Sequence, residues 1–577
     1  MLTGFSQAYA QPDAGSLLQQ QRTTPLSLDK LPTPEAAPVE LLPMRDTGGK
    51  QVDVQSVAFS GHEALATTEV LQSQIQAQLG KKLSFGEMQQ LADTVTRYLK
   101  NKGWILARAI LPEQDISAGV LQIVVQSGQI ESPADGSGID VVLKNELHID
   151  AARIQKTFAA KVVNAPGKAV NAADLERALL LVNDLPGVKA VTTLERGQSP
   201  GSTLLRVETE QGPRLSANVW ADNYGNRYTG LNRLNASGQW NNPLRLGDQL
   251  GLMLTKTEGV QLGSLTYSLP VGYSGLRTTV GASTMNYAIG QEQASLNSKG
   301  QANTSQLEAS YPLLRGRELN LNMSAKVEQK DLRDETAGLV TKDKRVLNQE
   351  ISINGDRFDQ FLGGGIFNYR LAKTFGRLDL TREANDFLND QATAKAHGNF
   401  QKWNYSLARL QKVTDALSFF ISASGQQAEG NLDSSEKFIL GGSSGVRAYP
   451  SGEGSGDQGW VSNMELRYDW ASLRSLGWGD VQMVAFYDTG HIQLQRNPWL
   501  PVEPNATGRN SYELSGAGVG LNLTKTGKYS VRIAYAQTIG SNPGRSIPDP
   551  AAGNPDGRNS DGLTDTSRVW LSAMLNF

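Results

Sequence analysis

The sequence predicts an α+β N-terminal part, two β-α-α-β-β units in tandem, followed by an all-β transmembrane barrel of about 16 strands. Three observations predict it. Apolar residues at helical spacing are confined to the chain before Arg214, whereas period-two alternation takes over there and runs to Phe577. No window approaches the roughly 18–20 consecutive apolar residues of a membrane helix. A chain of this kind can cross a bilayer only as a closed barrel, because only helices and barrels satisfy every backbone group in lipid.

The chain opens with Ala8-Tyr9-Ala10, a small-x-small site suited to signal peptidase, followed by polar Gln11-Pro12-Asp13. Residues 1–10 are therefore expected to be the remnant of a signal peptide. Within residues 11–22, the stretch Asp13 to Arg22 can form a short helix with Leu17 and Leu18 on one side. Residues 23–49 carry Pro25, Pro32, Pro34, Pro38 and Pro43. That density forbids a helix or a central strand and leaves an extended tether.

The first α/β unit occupies residues 50–130. Val52 to Phe59 reads as a strand ended by Gly61, and a helix follows with Leu71, Ile75 and Leu79 spaced by four. A second helix opens on the capping box Ser84-Phe85-Gly86-Glu87 and aligns Met88, Leu91, Val95, Tyr98 and Leu99. Trp104 to Ile110 and Val120 to Gln126 read as strands. The same order returns in residues 131–212. Ile139 to Leu143 is a strand, Ala151 to Phe158 and Asp174 to Val182 are helices, and Lys189 to Glu195 and Leu204 to Glu208 are strands.

Residues 213–577 form the barrel segment. Leu319, Leu321, Met323, Ala325 and Val327 alternate with Asn320, Asn322, Ser324, Lys326 and Glu328. Met464, Leu466, Tyr468 and Trp470 alternate likewise with Asn463, Glu465, Arg467 and Asp469, and Tyr529 to Ala536 repeats the pattern. A soluble sandwich would alternate in the same way with its apolar face inward. The barrel is favoured by segments of ~10 residues or more, and by connections that alternate between short turns (Gly272 to Gly275) and long polar loops (Gly290 to Gln301, Arg382 to Gly398). No convincing helix is expected beyond Arg214. Pro270 and Pro312 fall near the short turns, where a missing ladder donor is tolerated. Around 16 strands enclose a lumen too wide for side chains to fill, so it must hold water, a plug or cargo.

Composition narrows the chemistry. The 55 basic and 57 acidic residues nearly cancel, which gives no reason to expect nucleic acid as a partner. The chain contains no cysteine, which excludes a disulfide framework, a thiolate metal site and a cysteine nucleophile. His62, His148, His397 and His491 are scattered without ligand-like spacing. No P-loop, nucleophile elbow or pair of catalytic carboxylates stands in a convincing context. No enzyme, metal site or cofactor is expected.

Three stretches carry a family resemblance. The run Gly103-Trp104-Ile105-Leu106-Ala107-Arg108-Ala109-Ile110-Leu111-Pro112-Glu113-Gln114-Asp115, continuing to Gly119, Leu121 and Gly128, is similar to the end of the first POTRA domain in two-partner secretion transporters. Gly441 to Pro450 resembles the VRGY/F signature of the sixth extracellular loop in the wider POTRA-barrel superfamily, with Ala448 in place of the usual glycine. Phe486-Tyr487-Asp488-Thr489-Gly490 looks like that superfamily's aspartate motif on strand 13. The order of helix, proline-rich tether, two POTRA domains and 16-stranded barrel is similar to the TpsB family of haemolysin and filamentous-haemagglutinin exporters across the whole chain.

The resemblance implies a Gram-negative outer-membrane transporter with its POTRA domains in the periplasm. Those domains would bind the N-terminal secretion domain of one large TpsA-type exoprotein, which then crosses the barrel unfolded and without ATP. It further implies barrel-assembly machinery and periplasmic chaperones as partners during biogenesis, Phe577 as the assembly signal, and residues 11–22 as a plug. Gly103, Arg108, Pro112 and Gln114 stand for the first POTRA signature, and Val446, Arg447, Ala448, Tyr449 and Pro450 for the inward loop motif. Alone, an arginine in a Gly/Ser-rich loop is an ordinary solvated residue. The alternation changes this, because it turns Val481, Met483, Ala485 and Tyr487 to lipid and Asp488 to the lumen, where a carboxylate is affordable. A planar guanidinium suits a carboxylate, so Arg447 is expected to meet Asp488, with Gly490 beside it, and anchor the loop inside. A barrel insertase of the same superfamily and a passive porin or adhesin are the alternatives.

Overall fold

A computed structural model describes residues 12–22, 51–130, 139–143, 149–163, 169–197, 202–471, 477–499, 505, 507–548 and 557–577. The expected signal-peptide remnant and the proline-rich tether lie outside these residues.

In the first α/β unit the central strand Val120–Gln126 pairs in parallel with Ser56–Ser60 and antiparallel with Arg108–Ile110. Helices α1 (Ala14–Arg22), α2 (Thr68–Ile75) and α3 (Phe85–Asn101) precede or belong to this part of the chain. α2 and α3 bury Leu71, Ile75, Leu91, Val95 and Leu99 against Val57, Leu121 and Ile123. α3 starts on the expected capping box, in which Glu87 N donates to Ser84 Oγ and Ser84 N donates to Glu87 Oε2. The strand expected over Trp104 to Ile110 is shorter, running only from Arg108 to Ile110. Trp104 to Ala107 turns instead, and Ile105 and Leu106 pack on the core of the second unit. The first strand is likewise split at Gln55, with Val52–Val54 pairing separately with Lys81–Leu83.

The second unit repeats the plan. Ser202–Gln211 is central, parallel to Ile139–Leu143 and antiparallel to Val188–Arg196. Helices α4 (Ala151–Phe158) and α5 (Ala172–Asn183) close the core with Ile154, Phe158, Ala178 and Val182. The two units meet at Gly103, whose carbonyl accepts from Ala172 N at 2.7 Å. Its φ of +91° favours glycine, and a Cβ there would press on the Asn171 amide.

The barrel closes from 16 antiparallel strands. They are β1 (Leu215–Asp222), β2 (Arg233–Asn241), β3 (Gln249–Lys256), β4 (Val260–Pro270), β5 (Arg277–Ala288), β6 (Lys299–Arg315), β7 (Leu319–Thr336) and β8 (Leu339–Asp359). The ring continues with β9 (Gly365–Asp379), β10 (Gly398–Lys412), β11 (Leu417–Ala428), β12 (Gln458–Asp469), β13 (Asp480–Gln493), β14 (Ser511–Lys525), β15 (Tyr529–Ile539) and β16 (Ser567–Asn576). β1 leaves the second α/β unit, so odd-numbered strands run outward from the side that carries both units. Leu319, Met323 and Val327 are exposed on the outer wall of β7, while Asn320 and Glu328 are buried toward the lumen. Further out, the wall side becomes polar at Gln329, Asp331, Arg333 and Glu335, which marks where the strand leaves the apolar band.

One helix does appear after Arg214. α6 (Ala384–Ala392) sits in the long connection between β9 and β10, and Phe387 tucks from it into the luminal cluster. Its nine residues lie inside a loop whose polar composition masks so short an element.

The second unit is pinned beneath β2 to β7. Arg153 of α4 donates to the carbonyls of Pro270 and Gly272, and Arg177 of α5 donates to those of Pro312 and Leu313. Arg315 returns a bidentate pair to Asp184 at 2.7 and 2.9 Å. Backbone carbonyls at and beside the prolines of the short turns thus accept from arginines of the helices.

Candidate functional site

Among the described residues, α1 and the connection between β11 and β12 lie within the lumen. The connection folds inward through a short 3-10 turn (Ser434–Glu436) and a two-residue hairpin between Phe438–Ile439 and Ser455–Gly456. Its tip is apolar. Leu440, Val446, Ala448 and Tyr449 are buried against Val461, Val484, Phe486, Tyr512 and Leu514 of the wall.

Arg447 projects from this tip onto β13. Its backbone N and Nε donate to Asp488 Oδ2 at 3.0 and 2.8 Å, and Nη2 donates to Oδ1 at 2.7 Å. Nη1 donates to Glu465 Oε1 at 2.7 Å, and the guanidinium lies 3.6 Å from the centre of the Phe486 ring. A planar fork is needed to reach two carboxylates and an aromatic face at once, and lysine has none. Asp488 is fully buried and also accepts from Asn463 Nδ2, so both its oxygens are engaged. Trp570 Nε1 of β16 donates to the Arg447 carbonyl at 2.7 Å. Glu465 passes the chain of charge to Arg467.

Gly490 lies under the loop. A Cβ there would meet Leu440 Cδ1 at 2.4 Å and the Trp460 carbonyl at 2.5 Å. Ala448 faces Gly516 of β14, where a Cβ would fall 2.5 Å from that of Ala448. The loop can approach the wall only because glycine stands at both places.

A second attachment holds the start of the connection, with the polarity reversed. Glu436, 2% exposed, accepts from Lys330 of β7 at 2.6 Å and from Asn348 of β8 at 2.9 Å, and pairs with Lys402 of β10 at 2.8 Å. Burial would raise the Glu436 carboxyl, but the two ammonium groups outweigh it and hold it well below the usual carboxylate range. Asp433 accepts from Lys344 of β8 at 2.6 Å.

α1 shares this second attachment. Ala14, Leu17 and Leu18 pack on Val260, Met285, Tyr287, Leu332 and Val346, so the helix is fixed to one wall of the lumen. Asp13 caps it by accepting from Ser16 N at 2.8 Å. The other carboxylate oxygen accepts from Lys342 at 2.8 Å, Ser434 Oγ at 2.8 Å and Lys344 at 3.4 Å. Burial pushes the Asp13 carboxyl up, yet Lys342 and Lys344 prevail and hold it well below the ordinary value of 3.8. At the other end of α1, Gln20 and Gln21 contact Asn226 and Arg233.

The remaining residues singled out from sequence lie apart from this centre. Phe577 ends the chain at the seam, where its backbone exchanges hydrogen bonds with Ala217 and its ring is 74% exposed. Gly103, Arg108, Pro112 and Gln114 all belong to the first α/β unit. Arg108 is exposed, and Gln114 pairs its side-chain amide with the N–H and C=O of Gln122.

Sequence reasoning missed Glu465, Phe486 and Trp570 as partners of Arg447. Asn463 and Glu465 stood on the inward side of an alternating strand, and that was the available signal. Missed altogether were Glu436, Asp433, Asp13 and the lysines of β7, β8 and β10.

An outward-running barrel with two α/β modules beneath it, and a loop staked inside by arginine and aspartate, defines an outer-membrane transporter of the POTRA-barrel type. The chain belongs to the haemolysin secretion/activation protein ShlB/FhaC/HecB family, whose model matches residues 201–523, more than half of its length. A ShlB-type POTRA domain model matches residues 52–128. It is therefore a two-partner secretion transporter of the outer membrane. Over 551 residues, 93% of each chain, it is 27% identical to the heme/hemopexin transporter protein HuxB of Haemophilus influenzae. It is 24% identical to the outer membrane transporter CdiB of Escherichia coli over 87% of this chain and 80% of that one. The structure of Escherichia coli CdiB superposes with a TM-score of 0.71 at 21% identity, covering 98% of this chain and 96% of the other.

Proposed function

We propose that this transporter exports one large TpsA-type exoprotein, whose N-terminal secretion domain the two POTRA domains bind and whose chain crosses the lumen unfolded. The observation that carries this reading is the lumen itself. It is occupied by α1 and by the inward connection, each held by buried ion pairs and apolar side-chain packing and not through the ladder, so each can leave without unfolding the barrel. A passive pore has no use for removable contents held by buried charge.

In the resting state α1 is the plug, and Arg447 on Asp488 keeps the loop within. Capture of cargo would proceed by strand addition at a free edge of a POTRA sheet, where main-chain hydrogen bonds provide affinity without a fixed sequence. No nucleotide enters this scheme. Folding of the cargo outside makes return unfavourable and supplies the direction. Phe577, exposed at the end of the closing strand, would serve recognition by the barrel-assembly machinery, with periplasmic chaperones escorting the chain before insertion.

The test is a comparison by mass spectrometry of medium and outer membranes from cells with and without this protein. Loss of one large protein from surface and medium, with other barrels unchanged, is expected. A general loss of barrel proteins would mark an insertase instead, and an unchanged profile would rule out both.

A further inference from the structure

Three carboxylates of the inward connection have a lysine partner: Asp433 with Lys344, Glu436 with Lys330 and Lys402, and Asp457 with Lys437. Glu453 has no cation among the described residues, although only 2% of it is exposed. A buried carboxylate so placed depends on hydrogen bonds alone. Both come from the connection between β15 and β16, Asn542 Nδ2 donating to Oε1 and Ser560 N to Oε2, each at 2.7 Å. Neither bond reaches a strand of the wall.

The two bonds gather both limbs of that connection onto one side chain. Asn542 stands just after β15, and Ser560 lies on the limb that returns to β16. Asn542 also donates to Asn559 Oδ1 at 3.0 Å, and Ser546 N donates to the Arg558 carbonyl at 2.9 Å. β15 runs outward, so the connection lies at the outer end of the lumen. Its Gly544, Ser546 and Arg558 line a cavity of about 570 Å³ whose lining also includes Asp13 and Lys342 beside α1. The connection therefore stands on the outward side of the approach to the helix.

On its other side Glu453 belongs to a compact hairpin. Leu440 N and Gly441 N donate to the Glu453 carbonyl, Val446 N to that of Leu440, and Glu453 N to that of Pro450. A Cβ at Gly441 would lie 2.6 Å from the Glu453 Cβ, so the limbs are as close as glycine permits. Arg447 sits at the tip of the same hairpin. A displacement of Arg447 from Asp488 carries Glu453 with it.

We propose that Glu453 is a latch that couples the inward connection to the β15–β16 connection, so that a shift of the first frees the second and opens the outer end of the lumen. The inference rests on the reading above that the inward connection leaves its place. Charge-assisted bonds to a carboxylate are strong, which keeps the outer connection down at rest. Once exposed, the same carboxylate is satisfied by water, as an apolar contact in its place would not be. The contact is stable when buried and its parts are stable when wet.

The natural chain has no cysteine, so one introduced thiol reports alone. Ser560→Cys keeps the backbone N–H that Glu453 receives, and the side-chain oxygen it replaces is buried. Its labelling by a membrane-impermeant maleimide is followed on cells carrying the full-length protein. Leu339→Cys, at a position 72% exposed at the outer start of β8, is the standard. Glu453→Gln should speed labelling at residue 560 by about tenfold and leave residue 339 unchanged. Asn542→Ala, which breaks the contact from the other side, should do the same. Arg447→Ala should also speed it, and should add less than about twofold once Glu453→Gln is present, because the two act through one coupling. An unchanged rate at 560 in any of these variants, equal acceleration at 339, or independent multiplication of the Arg447 and Glu453 effects would each overturn the latch. No cargo takes part, so this outcome and that of the secretome comparison are read separately.

Discussion

The inward connection is held at two places that differ in sign and in origin. At its tip a loop cation, Arg447, meets wall anions on β12 and β13. At its start loop anions, Glu436 and Asp433, meet wall cations on β7, β8 and β10. The tip attachment belongs to the loop alone, whereas the second is shared with α1 through Asp13, Ser434 and Lys344. Opposite polarity means that neither end can bind at the other's site. The register of the connection is thereby fixed as well as its depth, and withdrawal of α1 disturbs one attachment while sparing the other.

Removal of the tip cation should have the largest effect. Arg447→Ala leaves the fully buried Asp488 without a counter-charge and Glu465 with Arg467 alone, and breaking a buried pair costs roughly 3–5 kcal/mol. Secretion should fall to background while heat-modifiable barrel remains in the outer membrane. Full export by this variant would sink the role assigned to the tip. Arg447→Lys should rescue little, since one ammonium cannot serve both carboxylates.

Next comes Glu436→Gln, which removes the carboxylate that Lys330 and Lys402 share in a buried site. It leaves Lys330 the longer pair with Glu328 at 3.6 Å and Lys402 the residue 436 carbonyl. A loss of roughly 3 kcal/mol is expected, and protease cleavage within the connection should rise in intact cells. If the connection stays protected, the second attachment contributes nothing to its position. The comparison would then reduce to the tip alone.

The two attachments also differ in how far they could be read from the chain. Arg447 and Asp488 stand in short local patterns, and alternation along β13 alone sends Asp488 inward. The barrel was legible for the same reason, since period-two alternation is a local property that each strand repeats. Glu436 gives no such signal. Its partners lie at Lys330, Asn348 and Lys402, on three strands whose register is set by turn lengths and bulges far from residue 436. The docking of Arg153 and Arg177 on proline carbonyls was hidden likewise, because it depends on how one folded unit sits on another. α6 and the turn at Trp104 to Ala107 escaped because tertiary contacts override short-range propensity there.

Asp13→Asn separates the shared attachment from the private one. It removes the carboxylate that joins α1 to Lys342, Lys344 and Ser434 but retains an oxygen for the helix cap. A charged hydrogen bond of about 1.5–3 kcal/mol is at stake. Planar-bilayer recordings should show more frequent open events, with Arg447 still on Asp488. Acid should act in the same direction. The docked Asp13 carboxyl lies below its ordinary value of 3.8, so its contribution to docking is fully present above that value. It is lost as pH falls from there through the docked value. Openings should therefore rise on acidification below about pH 4 in the natural protein and rise less in Asp13→Asn. A natural protein whose openings do not change over that range would show that α1 is held by its apolar face alone.

The smallest expected effect lies at the tip's closest approach. Gly516→Ala would place a methyl 2.5 Å from the Cβ of Ala448, and overpacking of this kind costs typically about 1–3 kcal/mol. Ala448→Gly restores the glycine usual in the loop motif and should by itself change export little. The double variant Gly516→Ala with Ala448→Gly returns a single methyl to the same gap, so its secretion should recover most of what Gly516→Ala loses. A double-mutant cycle on secretion rate reads this directly, because two residues in contact are expected to couple. Additive losses would mean that the loop tip does not rest on β14 during export, and that Arg447, not the packing around it, alone sets where the tip lies.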